Sequence, residues 1–152
     1  LATTFRVSFP RSEQPVARSK PSTKGSQRRA DGATVLVVDD EPIVRSVTQR
    51  LLEQLGFRVL SAPDGKSGIA TFSAHRDQIR VVLLDLTLGD MSGLEAMAAI
   101  RKVAPAVPVV LASGYSAEDV SSALSGSDRV TFLQKPFTLE ALLDAIERVR
   151  RA

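Results

Sequence analysis

The chain divides into an opening stretch without regular periodicity and a longer region in which short apolar runs alternate with helical patterns. From Thr34 onward that alternation repeats five times. Runs such as Val35-Leu36-Val37-Val38 and Val81-Val82-Leu83-Leu84 are continuously apolar, as expected of strands covered on both faces of a parallel sheet. Strands are predicted at 34–39, 58–62, 80–85, 108–112 and 130–134, and helices near 42–55, 66–75, 93–103, 117–124 and 139–150. Pro42 suits the first turn of the first helix and Gly56 stops it, with an apolar stripe at Val44, Val47, Leu51, Leu52 and Leu55. Thr138 caps the last helix, whose stripe is Leu139, Leu142, Leu143, Ile146 and Val149. The second helix has the weakest pattern, because Gly65 and Gly68 both lower helix propensity. Repeated βα units with short connections predict a right-handed, doubly wound α/β fold, a five-stranded parallel sheet with helices on both faces.

The opening stretch reads differently. Phe5, Val7 and Phe9 alternate with polar residues ahead of Pro10, a strand pattern stopped by a proline, and a lone strand is not stable. Residues 1–10 are therefore expected to be the terminal strand of a preceding domain, and the chain a fragment of a longer protein. Residues 11–33 are rich in Ser, Arg, Lys and Pro, with Val16 as the one sizeable apolar residue. They cannot bury enough surface to offset their ordering entropy and read as a flexible basic linker. Their composition also mimics a transit peptide, a reading opposed by the strand pattern in front of them.

Charge follows the same division. The formal net charge is +3, yet residues 1–33 hold seven Lys/Arg against two acids and residues 34–152 thirteen against fifteen. The basic excess belongs to the opening stretch. No aromatic residue interleaves with it after Phe9, so a solvated linker is expected and a nucleic-acid partner is not. The absence of Cys excludes disulfides and thiolate metal sites and fits a reducing cytoplasm. No apolar stretch approaches the roughly 20 residues that cross a bilayer, and no membrane contact is expected.

Candidate chemistry gathers at strand ends. Asp39 and Asp40 close the first run, Asp85 closes the third, Ser113 follows the fourth, and Lys135 follows the fifth. Carboxyl ends of strands are where open α/β sheets bind ligands. Three carboxylates crowded there repel one another unless a cation sits among them. An all-oxygen cluster in a chain without Cys and with a single His favours Mg²⁺ over zinc or copper. A carboxylate nucleophile, a divalent cation, a hydroxyl donor and an ammonium together suit capture of a phosphoryl group. Singly each residue is a turn former, a cap or a loop lysine; the specificity lies in their joint order.

The stretches VLVVDDEP, VVLLDLTLGDMSG, VVLASGY and FLQKPF resemble the receiver domain of two-component response regulators over residues 34–152. The resemblance implies a flavodoxin-like (βα)5 fold with strand order 2-1-3-4-5. It makes Asp85 the phosphoacceptor, with Mg²⁺ held by Asp40, Asp85 and the backbone carbonyl of Thr87, and by Asp39 through water. It also makes Ser113 the hydroxyl switch, Lys135 the family lysine with a cis bond to Pro136, and Phe132 the aromatic that turns inward on activation. Thr87 and Tyr115 fall at positions that tune phosphoryl lifetime in the family. The implied partner is a histidine kinase or histidine phosphotransfer domain, with self-association open. ATTFRVSFP is similar to the last strand of a sensor kinase ATP-binding domain, an order of segments found in hybrid histidine kinases.

Departures and rival readings remain. Gly89 replaces a usual proline, which predicts a more flexible loop and places the charge of Asp90 near the site. A haloacid-dehalogenase-like phosphatase wants a second Asp two residues after its nucleophile, where this chain has Glu41 after Asp39 and Thr87 after Asp85. A stand-alone regulator acting through protein contacts is the other alternative, and a scaffold with a degenerate site is disfavoured by the five filled positions. A DNA-binding regulator is not expected, since no effector segment follows the last helix. His75 reads as an exposed helix-terminal residue. Ile43 and Val44 either pack or lie where the family docks its phosphohistidine partner.

Overall fold

The computed structural model describes residues 31–152; the strand expected at 1–10 and most of the linker expected at 11–33 lie outside that span. Five βα units follow in order: β1 (Thr34–Val38), α1 (Pro42–Gln54), β2 (Arg58–Ala62), α2 (Gly65–His75), β3 (Ile79–Asp85), α3 (Gly93–Val103), β4 (Val109–Ser113), α4 (Ala117–Leu124), β5 (Val130–Gln134) and α5 (Leu139–Arg151). All strand pairs are parallel, and the sheet order is β2-β1-β3-β4-β5. This is the flavodoxin-like arrangement, with each element within a residue or two of its expected span.

The continuous apolar runs feed two cores. Leu36, Val38, Val82, Leu84 and Leu111 point to one face, against Phe72 of α2 and Ala96, Met97 and Ile100 of α3. Their neighbours Val35, Val37, Val81, Leu83 and Val110 point to the other, against Leu52 of α1 and Leu142, Ile146 and Val149 of α5. Successive strand residues alternate faces, so a strand covered twice must be apolar at every position. Caps fix where helices begin. The Asp64 carboxylate accepts from the Ser67 N–H at 2.7 Å, Ser92 and Glu95 form a reciprocal capping box, and Thr138 Oγ1 accepts from the Ala141 N–H at 3.1 Å.

The second helix forms as expected despite its glycines, while two other expectations, on the stripe of α1 and on His75, need correction. The glycines that weaken the pattern of α2 are demanded by its packing. A Cβ on Gly68 would lie 2.8 Å from Val38 Cγ2, and one on Gly65 would collide with Met91. The stripe of α1 is also rotated: Thr48 and Leu52 are buried, Val44, Leu51 and Leu55 are half-buried, and Val47 is 50% exposed. Periodicity marks an apolar face without saying that the fold covers all of it. His75, expected to be exposed, is half-buried at the end of α2.

Candidate functional site

The strand order determines where the carboxylates meet. From β1 the chain turns outward to β2, and from β3 it turns the opposite way to β4, leaving a crevice above the adjacent carboxyl ends of β1 and β3. Asp39 and Asp40 follow β1, and Asp85 is the last residue of β3. The three carboxylates each bring an oxygen within 4.8 Å of the others, with Asp39 and Asp85 buried and Asp40 exposed. Ladder-like backbone bonds run on past the strands to hold these ends: Asp39 N–H to Ala62 O (3.2 Å), Leu86 N–H to Ala112 O (2.9 Å) and Lys135 N–H to Ser113 O (2.8 Å).

Lys135 enters from the end of β5 across a cis bond to Pro136. Its Nζ donates to Asp39 Oδ2 at 2.8 Å and to Asp85 Oδ2 at 3.0 Å. Asp39 is tied further, accepting the Glu41 N–H on Oδ1 at 2.9 Å and offering its carbonyl to Arg45 at 2.7 Å. Asp85 Oδ1 accepts the Thr87 N–H at 3.0 Å. Ser113, 2% exposed, ends β4 and accepts the Tyr115 N–H on Oγ at 3.1 Å, so its own hydroxyl proton can point elsewhere.

Burial pushes the Asp85 carboxyl above its ordinary value, helped by the charge of Asp39 and opposed by the bonds from Thr87 and Lys135. Burial alone would pull the Lys135 ammonium down, but its hydrogen bonds to Asp39 and Asp85 hold it above its ordinary value. One ammonium among three carboxylates leaves an excess of negative charge. Hard oxygen donors with no thiolate or imidazole among them fit Mg²⁺ or a similar hard cation.

The site opens into a cleft of about 620 Å³, lined among others by Asp40, Asp85, Thr87, Ser113 and Lys135. Its other wall is apolar: Ile43, Val44 and Val47 of α1, with Tyr115, Pro136 and Phe137. Ile43 is 78% exposed and Tyr115 66%. The Phe137 and Arg45 contributions were not singled out in the sequence; their proximity to Lys135 and Asp39 in the chain was the available signal. Phe132 stands apart, half-buried on the edge strand β5 opposite Leu111 and outside the cleft lining.

The loop after Asp85 runs beside the acidic cluster, where a Cβ on Gly89 would lie 3.9 Å from Asp40 Oδ2. The Asp90 carboxylate accepts the N–H groups of Gly65 (2.8 Å) and Lys66 (2.9 Å) at the start of α2, bonds that hold it below the ordinary carboxylate range. Its charge is bound at that helix start.

Comparison with known proteins agrees with this geometry. Residues 35–147 match the response regulator receiver domain family. The "Probable transcriptional regulatory protein TcrX" of Mycobacterium tuberculosis is 42% identical over 121 residues, covering 76% of this chain and 50% of that protein. Sensor kinase CckA of Brucella abortus is 27% identical over 154 residues, covering 97% of this chain and 16% of that protein. Among solved structures, a receiver domain protein from Clostridium thermocellum superposes with a TM-score of 0.72 at 28% identity, over 78% of this chain and 94% of that one. The receiver domain of the hybrid histidine kinase CckA gives 0.66 at 28% identity, over 78% and 99%. The chain spans half or less of the length of these curated relatives. Family match, strand order and an acidic crevice facing a lysine lead to one identification: the chain belongs to the response regulator receiver domain family, the phosphoaccepting domains of two-component systems.

Proposed function

We propose that Asp85 is the phosphoacceptor and that its donor is a phosphohistidine on a histidine kinase or phosphotransfer domain. The observation that carries this reading is the Lys135 ammonium, 3.0 Å from an Asp85 carboxylate at the floor of an open cleft. A carboxylate oxygen of Asp85 attacks phosphorus in line, the P–N bond breaks, and its electron pair leaves on the imidazole nitrogen as an acyl phosphate forms. Lys135 neutralises charge on the transferring oxygens, and the Ser113 hydroxyl donates to one of them. Asp40, Asp85 and the Thr87 carbonyl would hold Mg²⁺, with Asp39 acting through water; when bound, the ion would supply further neutralisation of those oxygens. Phosphorylation of Asp85 then draws Ser113 and Phe132 inward and alters the surface formed by α4, β5 and α5.

The uncovered apolar wall of α1 supports partner docking beside the acceptor. Ile43 and Val47 present side chains that the fold leaves in solvent. Parentage in a cytoplasmic hybrid sensor kinase is supported by the CckA alignment, which runs over 97% of the chain where TcrX covers 76%. The higher identity to TcrX favours the second reading, a response regulator outside a kinase.

The test is acetyl phosphate with Mg²⁺ and intact mass. The wild type gains one phosphoryl group and Asp85→Asn gains none; an adduct that persists in Asp85→Asn overturns the assignment. Without a divalent ion, Asp85→Asn should also melt higher than wild type, since it removes a carboxylate whose ionisation the fold opposes. Mg²⁺ should raise the wild-type melting temperature, and Asp40→Ala should remove most of that gain.

A further inference from the structure

The opposite edge of the sheet holds a second recess, of about 780 Å³, which the phosphoryl chemistry does not use. Its lining includes five arginines from five places in the chain: Arg58 opening β2, Arg76 after α2, Arg80 in β3, Arg129 before β5 and Arg150 in α5. Asp31 is the single acid among the lining residues. We infer that this recess is a binding site for a small ligand carrying several phosphate groups.

An ordinary structural role accounts for little of this cluster. Helix C-termini end at this edge, and cations there complement the helix dipole. Arg58 and Arg80 lie on strands, where no such dipole needs them. Arg58, Arg80 and Arg150 make no side-chain ion pair or hydrogen bond among the described residues. Among the described residues Arg76 has only a loose 3.9 Å contact with Asp77, and Arg129 reaches the Ala106 carbonyl at 3.3 Å. By contrast Arg101, just outside the recess, shows what a structural arginine does here. Its Nη2 lies 2.8 Å from the Asp128 carbonyl and 3.4 Å from those of Val107 and Arg129, bracing the turn that presents Arg129 at φ 59°.

Guanidinium forks match phosphate oxygens bidentately, and five arginines lining one recess suit multiple phosphates better than a lone carboxylate. The volume falls within the range of small-ligand pockets, which favours a compact ligand over a long polyanion. The recess is independent of the acidic crevice: β3 runs from Ile79 beside one to Asp85 in the other, roughly 20 Å at ~3.3 Å per residue.

The test is isothermal titration calorimetry of the full chain with ATP and with pyrophosphate, at low salt and with EDTA present. Without a divalent ion the acidic crevice repels both probes, which isolates the arginine recess. One ATP should bind per chain, pyrophosphate should compete, and the double variant Arg80→Gln/Arg150→Gln should bind at least about tenfold more weakly. Lys102→Gln, at the same end of the molecule but outside the recess, should leave affinity within about twofold. Acetyl phosphate labelling of the double variant should match wild type, and Arg58→Gln should weaken ATP in the same direction. Absence of saturable binding overturns the proposal. So does equal weakening by Lys102→Gln, or binding of duplex DNA in preference to ATP with a stoichiometry that scales with duplex length.

Discussion

At the carboxyl edge of the sheet unlike charges are drawn together, mostly buried, and tied by bonds of 2.8 and 3.0 Å from one ammonium. At the amino edge like charges stand around an open recess, and three of the five arginines are tied to nothing among the described residues. The difference follows from solvent. Buried carboxylates need a partner because an unpaired charge is costly away from water. Exposed guanidinium groups are hydrated and screened, so the fold tolerates their crowding at little cost. Structure at the first edge therefore depends on its charges, whereas structure at the second should be nearly indifferent to them.

The largest expected effect comes from backbone fit beneath the acidic cluster. A Cβ on Gly93 would collide with the Asp85 carbonyl oxygen and come 2.8 Å from Leu86 Cα, atoms that no rotamer change can move. Gly93→Ala should cost about 3 kcal/mol in chemical denaturation and slow acetyl phosphate labelling by displacing the acceptor. Next comes Lys135→Met, which leaves Asp39 and Asp85 facing each other without an ammonium. The Lys135 side chain is 17% exposed and the crevice is open to water, so the loss should be about 2 kcal/mol, below the range for a fully enclosed pair. Lys135 is held above its ordinary 10.5, so its contribution is complete below that pH and lost as pH rises through the raised value. The deficit of Lys135→Met should shrink over that alkaline window, as read from melting temperature against pH. A deficit unchanged across it would remove electrostatics as the cause.

A smaller effect tests an exposed charge that does have a task. Asp90 binds two N–H groups at the start of α2 and titrates below its ordinary 3.8. A depressed carboxyl stabilises the fold above that ordinary value, and the contribution disappears as pH falls through the lowered one. Asp90→Asn should melt below wild type at neutral pH, and the two curves should converge in acid. Curves that stay parallel would show that the amide fails for reasons of shape.

Legibility in the sequence follows the same division of the molecule. The runs at 35–38 and 81–84 announced buried strands because both faces of the sheet are covered, leaving no polar position to confuse the period. Asp39, Asp40, Asp85, Ser113 and Lys135 stand out for the same reason, as polar residues at abrupt ends of apolar runs. Strand order did not come from periodicity; it came through the family resemblance, because pairing across a crossover leaves no local mark. Gly65 and Gly68 weaken the pattern of a helix that nonetheless forms, because helix propensity is a local quantity, while their close packing involves Met91 and Val38 far away in the chain. Val47 misled because a stripe shows apolarity and not coverage. The arginine recess was invisible: its five residues lie between positions 58 and 150 without a motif, and the acids of 34–152 outnumber the bases overall.

The smallest expected effect is the most direct test of indifference at the amino edge. Arg80 is exposed, lies among four other arginines and has no ion pair among the described residues. Removing its charge should relieve repulsion, so Arg80→Gln should melt slightly above wild type at low ionic strength and in the absence of phosphate. The gain should vanish in high salt, where the screening length of roughly 3 Å at 1 M falls below the spacing of side chains around such a recess. A loss of stability at every salt concentration would mean that the aliphatic stem of Arg80 covers apolar surface, a packing role that charge removal exposes. The amino edge would then be structural like the carboxyl edge, and the contrast between them would reduce to a difference in solvent exposure alone.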